Sequence, residues 1–109
     1  MRITLPSGTE AEFAECTGDP TMGLVITPDI FGLRPLFDDM VGRLSSVWSM
    51  NVCAVEPFPG LGLGDDVEPR FAAVPNLDDE NHLRDLSEAA DATECDRVGL
   101  IGFCMGGMY

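Results

Sequence analysis

Three short apolar runs constrain this chain more than anything else in it: Gly23-Leu-Val-Ile-Thr27, Val52-Cys-Ala-Val55 and Val98-Gly-Leu-Ile-Gly-Phe103. A strand half in water alternates apolar and polar residues, whereas an unbroken run suits a strand covered on both faces. Between the first two runs the period changes. Phe37, Val41, Leu44 and Trp48 follow an i, i+4, i+7, i+11 spacing, the stripe of an amphipathic helix over residues 35–49. Pro35 suits the start of that helix, and Asp38 and Asp39 suit its positive N-terminal end. Residues 56–66 are rich in Gly and Pro and read as a loop. Asn76 then predicts a cap for a helix through Ala92, with Leu83, Leu86 and Ala90 on its inner face. Ahead of all this, Ile3 and Leu5, a turn at Pro6-Ser7-Gly8, and Ala11 and Phe13 predict a half-buried hairpin. The order is hairpin, β, α, β, α, β. It specifies an α/β chain whose parallel sheet is covered by helices.

Composition removes whole classes of function. Hydrophobic residues make up 45% of the 109 residues, enough for a packed core in one small domain or part of a larger one. Six basic residues, all of them Arg, face 19 acidic ones, for a net charge of −13. So negative a surface repels phosphate backbones and anionic lipid headgroups, which argues against nucleic-acid and membrane-surface binding. No run approaches the roughly 20 apolar residues of a membrane span. Cys16, Cys53, Cys95 and Cys104 include no Cys-x-x-Cys pair and read as free thiols in a reducing cytoplasm. With a single His, a histidine-rich metal site is excluded, and no metal or cofactor is expected. The acidic runs Asp65-Asp66 and Asp78-Asp79-Glu80 read as solvated surface rather than as a calcium loop.

The third apolar run flows into Gly102-Phe-Cys104-Met-Gly106-Gly107, a G-x-C-x-G-G sequence. A nucleophile elbow holds its central residue in a strained backbone on a tight strand-to-helix turn, so the positions two before and two after it must be glycine. Gly102 and Gly106 occupy those positions around Cys104. A thiolate is the reactive form of cysteine, and a following helix N-terminus favours it. The Met105 N–H would then face a developing oxyanion. The turn matches neither G-x-G-x-x-G nor a P-loop, and no Lys follows it. A small buried cysteine at a packing turn is the other reading of the same residues. An oxyanion hole needs a second N–H from the loop after an earlier strand, and Thr27-Pro-Asp-Ile-Phe-Gly32 supplies one, with Ile30 as the donor. Asp29 would place a carboxylate near the thiol; otherwise it simply opens a turn after Pro28.

Together, the stretches Gly23–Gly32, Glu56-Pro-Phe-Pro-Gly60 and Val98–Gly107 resemble the dienelactone hydrolase family, α/β-hydrolases with a cysteine nucleophile. The resemblance spans essentially the whole chain but only about the N-terminal half of the family's usual length. It implies that Cys104 attacks an ester or lactone carbonyl to form an acyl-enzyme, with Ile30 and Met105 as oxyanion donors. It implies that Asp29 stands where the best-known members carry a Glu that helps activate the thiol; Asp is one methylene shorter. Arg70 falls near the family's carboxylate-binding Arg, although by its local sequence it reads as a solvated surface residue.

The family's catalytic Asp and His follow the nucleophile, and only five residues follow Cys104 here. His82 precedes the elbow and is expected on the exposed face of its helix. The chain is therefore expected to be the N-terminal part of a small-ester or lactone hydrolase, carrying a nucleophile without its general base. The alternative is a non-catalytic α/β piece whose exposed last strand pairs with a partner chain.

Overall fold

The computed structural model describes residues 1–64 and 66–103. Its elements are β1 (Arg2–Thr4), β2 (Glu10–Ala14), β3 (Gly23–Thr27), α1 (Pro35–Trp48), β4 (Asn51–Val55), α2 (Val67–Ala73), a 3₁₀ turn at Val74–Asn76, α3 (Asp79–Ala92) and β5 (Val98–Gly102). The strands form one mixed sheet in the order β1-β2-β4-β3-β5. The expected hairpin β1–β2 joins β4 antiparallel, while β4, β3 and β5 run parallel.

The two inner strands behave as their apolar runs require. Every residue of β3 and β4 is buried, and alternate side chains feed two different cores. Leu24, Ile26, Val52 and Ala54 face α1, where they meet Phe37 and Val41. Val25, Cys53 and Val55 face the other way, onto Leu86 and Ala89 of α3, with Leu5 and Ala11 of the hairpin. One helix on each face makes three layers, and burying each large apolar side chain contributes roughly 1.5–3 kcal/mol.

Polar staples fix the layers relative to one another. Asp85 of α3, 1% exposed, accepts hydrogen bonds from the Ser7 hydroxyl (2.6 Å) and the Thr9 hydroxyl (2.7 Å), tying the hairpin turn to the helix. Asn51 accepts from the Cys16 N–H and donates to the Thr93 carbonyl, both at 2.9 Å, joining the exit of β2 to the end of α3.

Several expectations are corrected. Trp48 is 49% exposed, and Ser45 takes the buried place on α1 instead. Helix α3 starts at Asp79, not at Asn76, because the Asp78 carboxylate accepts from the Asn81 N–H and caps it. Its inner face is His82, Asp85, Leu86 and Ala89, while Leu83 is 51% exposed. The hydroxyls of Ser7 and Thr9 hold Asp85 inward beside Leu86, while Ala90 keeps its expected place against the core. His82, expected on the surface, is buried. Helix α2 was not foreseen; Pro69 in its first turn is compatible with a helix start. Finally, β5 lies at an edge of the sheet and is not fully covered: Val98 and Leu100 are exposed.

Candidate active site

Parallel strands end on one side of a sheet, and in open α/β folds ligands bind beyond those C-terminal ends. Here the ends are Thr27 of β3, Val55 of β4 and Gly102 of β5, with Thr27 and Gly102 directly paired. The Phe103 N–H donates to the Thr27 carbonyl (3.1 Å), and the Phe103 ring packs edge-on against Phe37 at 5.4 Å. The backbone is thus held up to the residue before Cys104. Cys104, Met105 and Gly106 lie outside the described residues.

The turn after β3 is ordered by its own amides. Asp29 Oδ1 accepts the Phe31 N–H (3.1 Å), and the Asp29 carbonyl accepts the Gly32 N–H (2.9 Å). The Leu33 N–H goes to Glu56 Oε2 (3.1 Å). Along this turn the Ile30 N–H makes no hydrogen bond among the described residues. A free N–H at a strand end is what an oxyanion donor requires.

Asp29 is engaged locally. Besides the Phe31 amide, its carboxylate forms a two-point pair with Arg34, at 2.7 and 3.1 Å. The Arg34 guanidinium also lies over the Phe31 and Phe37 rings, at 5.4 and 5.1 Å from their centroids. Arg34 and Glu56 were not singled out as site residues by sequence reasoning. Both are ordinary charged residues by sequence, and only the folded turn brings them to Asp29 and Leu33.

Arg70 is corrected most sharply. Expected as a solvated side chain, it is 8% exposed. Its guanidinium donates to three carbonyls, of Gly64 (2.8 Å), Leu63 (2.9 Å) and Ile30 (3.0 Å), and lies near the Phe31 and Phe58 rings. No described carboxylate forms an ion pair with it. Among the described residues its polar partners are carbonyl dipoles, which satisfy N–H groups without neutralising the charge. Arg70 lines a cavity of about 430 Å³ shared with Leu33, Glu56, Phe58 and Leu63. His82 lines a different, smaller cavity with Pro57 and Leu61, and burial pushes its pKa below the ordinary value, partly offset by Asp85 and Asp79. Among the described residues no group of three His, Cys, Asp or Glu side chains could hold a metal ion, and no helix is long and apolar enough to cross a membrane.

No protein-family profile matches the chain. Over 96 residues it is 27% identical to a protein of Bradyrhizobium sp. named a probable 2-oxo-3-(5-oxofuran-2-ylidene)propanoate lactonase, covering 79% of this chain and 38% of that one. A structure from Klebsiella pneumoniae subsp. pneumoniae, named a putative dienelactone hydrolase, superposes with a TM-score of 0.79 at 23% identity. That match covers 98% of this chain and 50% of the other. The chain resembles the N-terminal portion of the dienelactone hydrolases. A dienelactone hydrolase-like promiscuous phosphotriesterase from metagenomic libraries gives a TM-score of 0.75 at 23% identity, over 98% of this chain and 49% of that one. The chain therefore spans half or less of the length of these dienelactone hydrolase-like relatives, and the shared sheet and helices are those of a partial α/β-hydrolase fold.

Proposed function

We propose that this chain is the nucleophile-bearing part of a hydrolase that opens small ester or lactone bonds. The observation that carries the reading is the Ile30 N–H in the turn after β3, which has no hydrogen-bond partner among the described residues and lies beyond the strand paired to the one that leads into Cys104. The Cys104 thiolate attacks the substrate carbonyl carbon, and the carbonyl oxygen takes up negative charge between the Ile30 and Met105 amides. Collapse of the tetrahedral intermediate restores the C=O bond and expels the alcohol oxygen, leaving a thioester on Cys104. Water then hydrolyses the thioester and regenerates the thiol. The proton transfers need a base, which the resemblance puts in an Asp–His pair following the nucleophile. No metal or cofactor enters this scheme.

Asp29 is the candidate for orienting the thiolate, provided its carboxylate can leave Arg34. Arg70 supports a substrate that carries its own negative charge, since the cavity offers a buried guanidinium that pairs with no carboxylate among the described residues. The test is single-turnover acylation by a p-nitrophenyl ester, followed by mass spectrometry of the peptides. One acyl group on Cys104, abolished in Cys104→Ala, supports the reading. Equal labelling of the cysteines removes it, because Cys16 and Cys53 are buried and burial pushes the Cys53 thiol up to about 12.

A second reading rests on β5. Its exposed Val98 and Leu100 at a sheet edge suit pairing with a chain that carries further strands. A stable, inactive monomer in sedimentation experiments would sink it.

A further inference from the structure

Glu56 is the first residue after β4, and its carboxylate turns back toward the end of β3. Oε2 accepts the Leu33 N–H at 3.1 Å, and Oε1 accepts the Phe58 N–H at 3.2 Å. Its own N–H donates to the Glu10 carbonyl at 3.0 Å, which anchors the residue to β2. Gly32, at φ +67°, passes so close that a Cβ there would sit 2.5 Å from Oε1. The carboxylate thus lies against the turn that carries Ile30 and holds one amide from each of two loops. With an acceptor bond on each oxygen, it is poorly placed to act as a base.

We propose that Glu56 is a positioning residue: it staples the 29–33 turn to the 56–60 loop and so fixes the Ile30 N–H for the oxyanion. This rests on the ester or lactone reading given above. The chemistry demands a carboxylate of this length. Glutamine offers one acceptor oxygen and would set its NH₂ against a backbone N–H, aspartate is a methylene short, and alanine leaves both amides open. Displacing the turn should weaken stabilisation of charge on the substrate oxygen while leaving the thiol itself untouched.

The experiment compares two reactions of Cys104 in the full 109-residue chain. Acylation by p-nitrophenyl acetate develops an oxyanion; alkylation by iodoacetamide does not. In Glu56→Gln, acylation should slow roughly tenfold, less than the full loss of an oxyanion donor, with alkylation changed by no more than about twofold. Gly32→Ala, whose methyl would collide with Oε1, should reproduce the same selective loss. Amide hydrogen exchange at Leu33 and Phe58 should quicken about tenfold in Glu56→Gln. An unchanged ratio of acylation to alkylation in both variants overturns the proposal, as does unchanged exchange at the two amides. If the unsubstituted chain is never acylated at Cys104, the ester reading fails and takes the oxyanion role with it. The exchange data still report whether Glu56 joins the loops.

Discussion

Two buried residues show how a side chain's neighbours decide its chemistry. Arg70 places three of its five N–H groups on carbonyls and pairs with no carboxylate among the described residues, so its charge is left for whatever enters the cavity. His82 has the opposite problem: it is buried on α3, and desolvation pushes its pKa below the ordinary 6.5 despite Asp85 and Asp79 nearby. The sign of its effect on stability follows from linkage. Above 6.5 the imidazole is neutral in both the folded and the unfolded chain, and its contribution is fully present. As the pH drops below that value the unfolded chain takes up the proton first, and stability is lost as the pH falls through the folded value. Thermal melts between about pH 7 and pH 5 should therefore decline more steeply for the unsubstituted chain than for His82→Gln. Parallel slopes would show that His82 is not held neutral by the fold.

Among the elements, the hairpin turn and α3 are joined by two carboxylates, Glu88 accepting the Ser7 N–H (2.8 Å) and the buried Asp85 accepting the Ser7 and Thr9 hydroxyls. Asp85→Ala removes two short hydrogen bonds to a charged group and should cost about 3 kcal/mol of unfolding free energy, read from urea melts. The Ser7→Ala/Thr9→Val double variant should cost a similar amount, because it leaves the buried Asp85 carboxylate with the longer Arg84 contact (3.3 Å) in place of two short hydroxyl bonds. The same carboxylate marks the limit of what the sequence discloses. Strands β3 and β4 and helix α1 were legible, because unbroken apolar runs and a helical stripe need no knowledge of partners. The face of α3 was legible in part. Leu86 is in the core and Ala90 packs against it as expected, but Leu83 is exposed, and Asp85 turns inward to hydroxyls some 76 and 78 residues away in sequence. Arg70 was misjudged for a related reason: carbonyl partners leave no signature in side-chain patterns. In the candidate site, the turn with Ile30 was legible from its place after β3, while Glu56 and Arg34 became visible only through the folded backbone. The elbow residues Cys104, Met105 and Gly106 rest on the sequence pattern and the resemblance alone.

At the scale of the molecule, charge is the dominant global quantity. A net −13 spread over so small a domain repels itself, and compaction brings those charges together. The ion pairs that salt would weaken, such as Arg43–Asp39, are largely exposed and contribute little. Screening of the repulsion should win, so the melting temperature should rise by a few degrees between 50 mM and about 500 mM NaCl. A fall would mean that the surface pairs matter more than the overall charge. The strand order carries a different consequence, one of timing. Strand β4 lies between β2 and β3, yet it leaves the ribosome after both of them. Until residues 51–55 emerge, the hairpin and β3 have no common neighbour and cannot lie in one sheet. Synthesis of β4 is the moment at which this chain can first acquire a core, and β5 then adds to a surface already formed.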